Sequence, residues 1–142
     1  MSGKLVFVDT GAWYALQVTD DANHPRAKDA LPRILANSQG LVTSNHVVGE
    51  TYTLLRVSRG YDGAKRFLDT IRQSPRLTVH FANLDTERAA FALLDKYSDH
   101  PFSFVDGVSF ALMREREIED AFAFDIHFRI AGFNRVGMDV TL

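Results

Sequence analysis

The sequence predicts an α/β fold, a parallel sheet covered by helices on both faces. Three observations carry that expectation. Short apolar runs rich in β-branched and aromatic residues alternate with longer segments of helical spacing. The intervals between the runs are long enough for crossover connections, which parallel strands require. The runs are nearly continuous in hydrophobicity, the pattern of strands buried on both faces.

The first run, residues 4–8, stops at Asp9. Further strands are expected over 41–43, 77–81 and 121–124, with a weaker one near 135–137. Helices are expected over 24–37, 46–59, 62–73, 86–97 and 103–116, and helix starts after Asp9 and Asp125. Gly40, Gly60 and Pro75 stand where elements should end. Two consecutive helical segments, split at Gly60, separate the second strand from the third and suggest a protruding hairpin over 46–73. Its second helix brings Phe67, Leu68 and Ile71 close together, an apolar surface of which part is expected to stay exposed in a monomer and to receive a partner helix.

With 142 residues, 46% of them hydrophobic and 24% charged, the chain is expected to form one domain over 1–142 with a continuous core. It has no cysteine, which excludes disulfide frameworks, thiolate zinc sites and a cysteine nucleophile. The N-terminal apolar run is too short for a signal sequence, and no stretch approaches a membrane span, so a cytoplasmic location is expected. A net charge of −2 taken alone disfavours a nucleic-acid partner. If four carboxylates gather around divalent cations, however, fourteen acidic side chains remain against sixteen basic ones, a mildly basic remainder.

Four carboxylates stand in unusual settings. Asp9 and Asp125 are each the first polar residue after an apolar strand. Either is a helix N-cap or part of a site at the carboxyl edge of the sheet, where open α/β folds bind ligands. Glu50 shares a helical stripe with Val47, Leu54 and Val57, so it is a surface glutamate at the stripe's edge or a charge on an apolar face. Asp106 interrupts PFSFVDGVSFALM, a segment apolar nearly all round. It is a cap, if the helix starts later than expected, or a functional acid. Burying an unpaired carboxylate costs several kcal/mol, and one shared divalent metal would account for all four. Oxygen ligands without cysteine point to a hard cation, Mg²⁺ or Mn²⁺, and such ions act on phosphates. Thr10 and Ser103 are the hydroxyls best placed to orient carboxylates, or are helix caps themselves.

The five histidines form no zinc pattern, and His127 is read first as a loop residue, with a contact to phosphate or metal as the lesser reading. Phosphate-loop, dinucleotide and nucleophile-elbow motifs are absent. A phosphatase with an aspartate nucleophile would want a second aspartate two residues after Asp9, where Gly11 stands. A receiver-like regulatory module would want a lysine after a late strand, which is lacking.

VDTGAW, SNHVVGETYTLL, FSFVDGVSFALM and FAFDIHFRIAGF resemble, in order, the four acidic blocks of PIN-domain ribonucleases. Within that family the chain is most similar to the VapC-type toxins of prokaryotic toxin–antitoxin pairs. The resemblance implies a sheet of order 3-2-1-4-5 and an acidic pocket for one or two Mg²⁺ or Mn²⁺ ions. It implies Asp9, Glu50, Asp106 and Asp125 as the acidic set with Thr10 beside them. It further implies an endoribonuclease acting on structured RNA such as tRNA or rRNA, a homodimer, and inhibition by a cognate antitoxin. PIN domains also serve in RNA processing without an antitoxin, and a non-catalytic metal-binding or RNA-binding module is the remaining alternative.

Overall fold

The computed structural model of the protein describes residues 4–140. Five strands, β1 (Leu5–Val8), β2 (Gly40–Ser44), β3 (Leu77–His80), β4 (Asp120–Phe122) and β5 (Asn134–Arg135), form one all-parallel sheet in the order β3-β2-β1-β4-β5. Helices α1 (Thr10–Gln17), α2 (His24–Asn37), α3 (Asn45–Gln73), α4 (Leu84–Lys96), α5 (Phe104–Glu115) and α6 (Ile126–Ile130) make the connections. The α/β class and the strand order agree with expectation. β4 ends two residues earlier than its apolar run, and β5 starts one residue before its expected position.

Neighbouring residues in a strand point to opposite faces, yet Val6, Phe7 and Val8 are all buried, as is every residue of β2. Both faces of the central strands are therefore covered, which explains why they read as unbroken apolar runs. Phe7 lies 6.4 Å from Phe128, whose ring meets Phe110 edge-on at 5.0 Å, so one aromatic group ties β1, α5 and α6 together. Trp13 of α1 packs edge-on against Phe67 at 5.8 Å, and its indole N–H donates to Thr43 Oγ1 of β2 at 3.4 Å.

The helical segments between β2 and β3 break at Gly60, where the backbone takes φ 78° and ψ −177°. That region is essentially restricted to glycine. Gly60→Ala should cost about 1–3 kcal/mol although open space surrounds the position. A thermal melt indistinguishable from the wild type would show that the break does not depend on this dihedral.

The exposed surface expected on the second half of α3 is found only in part. Phe67 is fully buried against Trp13, and Leu68 and Ile71 pack partly against the core. The segment folds back onto α1 instead of protruding. An open apolar groove of about 420 Å³ lies beside it, with Trp13, Leu16, Leu31, Leu35 and Leu77 among its walls.

Candidate active site

Strand order reverses at β1, which pairs with β2 on one side and β4 on the other. A crevice opens outside the carboxyl ends of such strands, and the chain delivers carboxylates to it from four elements. Asp9 follows β1, and its N–H donates to the Phe122 carbonyl at 3.1 Å, fixing it beside the end of β4. Its backbone carbonyl receives Ala12 and Trp13 N–H at the start of α1, while its carboxylate makes no capping bond. The carboxylate is thus free of the structural role that its N-cap position suggests.

Asp106, by contrast, takes a capping role. The Ser103 hydroxyl accepts from Asp106 N–H and Asp106 Oδ2 accepts from Ser103 N–H, each at 3.0 Å, a reciprocal capping box at the start of α5. The same Oδ2 accepts from His127 Nδ1 at 2.9 Å. Two donors therefore hold one oxygen of a buried carboxylate. Asp125 caps α6 by accepting His127 N–H at 2.9 Å, and its side chain is 40% exposed.

Glu50 is half-buried, but the stripe expected around it is not the packed face of α3. Leu54 and Val57 are 46% and 84% exposed. The buried face runs through Val47, Thr51 and Leu55. Glu50 borders the site as a charge on a partly solvated face rather than one sunk into an apolar stripe.

Electrostatics ties the set together. Burial pushes the Asp9 carboxyl up from 3.8 to about 7; the Thr10 backbone amide opposes the shift, while the charges of Asp106, Glu50 and Asp125 add to it. Asp9 thus feels the charges of the other three acids, a repulsion that a cation would relieve. Thr10 Oγ1 is buried without a hydrogen-bond partner, an open donor and acceptor beside Asp9. The tightest potential ligand group among the described residues is Asp106, Asp125 and His127, whose donor atoms lie within 4.8 Å of one another. Carboxylates and an unpartnered hydroxyl fit a hard divalent cation.

His127 is the residue that local sequence reasoning undervalued. It lies in α6 rather than a loop, contacts Asp106 and Asp125 at 2.9 and 3.4 Å, and packs against Phe102 at 4.9 Å between ring centroids. Its spacing of two from Asp125 was the available signal; its partnership with Asp106, 21 residues away, was not. Of the phenylalanines near Asp106, Phe110 is core, Phe102 is partly buried and Phe104 is exposed.

Comparison with known proteins agrees with this geometry. Two curated relatives from Mycobacterium tuberculosis, strains CDC 1551 / Oshkosh and ATCC 25618 / H37Rv, are each called 23S rRNA-specific endonuclease VapC20. Both are 41% identical over 133 residues, covering 93% of this chain and 98% of their own. The crystal structure of M. tuberculosis VapC20, described as a sarcin-ricin loop cleaving toxin, superposes with a TM-score of 0.81 at 40% identity. The match covers 90% of this chain and 95% of that one. Residues 6–134 match the PIN domain, and with the identity to these relatives and the strand order this establishes that the chain belongs to the PIN domain family.

Proposed function

We propose that this protein is a divalent-metal-dependent endoribonuclease that hydrolyses a phosphodiester bond of ribosomal RNA, the toxin of a VapC-type toxin–antitoxin pair. What supports the reading is the Asp9 carboxyl at the carboxyl edge of the sheet, pushed up to about 7 by burial first and then by the charges of Asp106, Glu50 and Asp125. The substrate class follows from 41% identity to a 23S rRNA-specific endonuclease over nearly the whole of both chains.

In this reading Asp9, Glu50, Asp106 and Asp125 hold Mg²⁺ or Mn²⁺, with Thr10 as the accompanying hydroxyl. When bound, the cation polarises the scissile phosphate and acidifies the attacking water. Water oxygen bonds to phosphorus, the bond from phosphorus to the 3′ oxygen breaks and that oxygen gains a proton, leaving a 5′-phosphate and a 3′-hydroxyl. Ser103 N–H and His127 Nδ1 fix one Asp106 oxygen and so limit the directions in which the other can bind. Positioning of this kind is a large part of what a protein contributes to such chemistry.

The reading includes one PIN domain over 1–142, a homodimer, a cognate antitoxin and a cytoplasmic location, where ribosomal RNA is found. Exposed Phe81, Leu84 and Phe91 supply apolar surface for a second copy. The apolar groove lined by Trp13, Leu31 and Leu35 suits an antitoxin side chain better than buried Phe67 does. No helix among the described residues is long and apolar enough to cross a membrane.

The test is to incubate the purified protein with ribosomal RNA in Mg²⁺ or Mn²⁺ and map the products. Cleavage at a defined position of the large-subunit RNA, ending in a 5′-phosphate and stopped by EDTA, is expected. Intact RNA under both cations would overturn the reading.

A further inference from the structure

The last strand carries a buried arginine. Arg135 of β5 has a side chain only 9% exposed, and arginine is almost never buried without partners. Its fork is occupied by one carboxylate: Nε donates to Asp139 Oδ2 and Nη2 to Asp139 Oδ1, both at 2.9 Å, while the Arg135 amide adds a third bond to Oδ2 at 3.1 Å. Such a bidentate pair fixes the guanidinium plane as well as its charge.

The remaining nitrogen holds the backbone just before Asp125. Nη1 donates to the Phe124 carbonyl at 2.9 Å. β4 has ended at Phe122, so residues 123–125 carry Asp125 from the sheet to the cap of α6 outside the strand ladder. The Phe124 carbonyl and the Asp125 nitrogen and Cα belong to one rigid peptide plane. Holding the carbonyl therefore fixes the plane from which the Asp125 side chain departs.

We propose that Arg135, locked by Asp139, is a positioning residue for Asp125, setting the direction from which its carboxylate reaches the acidic crevice. This rests on the reading of Asp125 as a metal-holding acid. Asp139 keeps the guanidinium from turning, and Arg135 transmits that order eleven residues back along the chain to the strand-to-helix junction. Removing groups that orient metal-binding side chains typically weakens metal binding or activity about 10–100-fold.

The variants are Asp139→Asn, which keeps the shape of the partner, and Arg135→Lys, which keeps the charge but not the fork. Mn²⁺ binding is measured by calorimetry on folded protein, with circular dichroism and melting recorded alongside. Both variants should bind Mn²⁺ about five-fold or more weakly, with kcat on RNA falling more than KM rises. In an Asp125→Asn background the same changes should leave Mn²⁺ affinity within about two-fold, because the side chain they position is already lost. Should Arg135→Lys not fold, Asp139→Asn and its double variant decide alone. A clamp that serves only stability would lower the melting temperature and leave Mn²⁺ affinity of the folded protein at the wild-type value, which overturns the proposal. Because the readout is Mn²⁺ binding, a protein that cleaves no ribosomal RNA would sink the proposed activity and still leave this assignment decided by the titration.

Discussion

Asp9→Asn and Asp106→Asn should each reduce RNA cleavage by on the order of 10³-fold or more while leaving the fold in place. The substitutions keep shape and remove charge, so the capping role of Asp106 survives while a cation-binding role of either side chain does not. Asn at 106 can still accept Ser103 N–H in the capping box, so the helix start loses only its charge, about 0.3–1 kcal/mol. Asn at 9 gives up no capping bond, because the Asp9 carboxylate makes none. Folding should thus survive both changes, as circular dichroism would show, while affinity for a cation should not. Undiminished cleavage by either variant in Mg²⁺ would remove the acidic crevice as the active site.

How far the sequence disclosed this arrangement depends on how local each cause is. The sheet was legible because burial on both faces leaves a continuous apolar run, as in residues 5–8, and the long intervals between runs demanded parallel crossovers. Strand order was not written in those runs; it came from the resemblance of four short blocks taken together. Asp9 and Asp106 were legible because the first ends an apolar run and the second interrupts an apolar segment, and both prove buried.

Glu50 was picked out on a premise that fails. A helix shows a periodic stripe from sequence, but which stripe is covered depends on what packs against it. Here Thr51 turns inward, bonding the Val47 carbonyl at 2.8 Å, while Leu54 and Val57 face solvent. Phe67 failed in the opposite direction: its burial comes from Trp13, 54 positions earlier, a pairing that helical periodicity cannot express. His127 and Arg135 were undervalued for the same reason. Their partners, Asp106 and the Phe124 carbonyl, become neighbours only when α5, β4 and β5 are assembled.

The second large effect is on stability, and its sign follows from Asp9. In the metal-free fold its carboxyl is raised from 3.8 to about 7, mainly by burial, with Asp106, Glu50 and Asp125 adding to the shift. Between about pH 4 and pH 7 the folded protein therefore holds a proton that the unfolded chain has released. Stability falls as pH rises through that window. The penalty is absent below pH 4, complete above pH 7, and on the order of 4 kcal/mol for a shift of this size. In EDTA, Asp9→Asn should melt close to the wild type at pH 4.5 and several degrees above it at pH 8. Divalent cations should reverse the comparison. Mn²⁺ compensates the charge that burial penalises and binds only the folded state, so millimolar Mn²⁺ should raise the wild-type melting temperature more at pH 8 than at pH 5.5. Asp9→Asn should gain little at either pH. Scanning calorimetry at three pH values, with and without Mn²⁺, reads both effects. A melting difference between variant and wild type that stays constant from pH 4.5 to pH 8 in EDTA would mean that Asp9 ionises in the fold as it does in the open chain, and the electrostatic account of the crevice would fail with it.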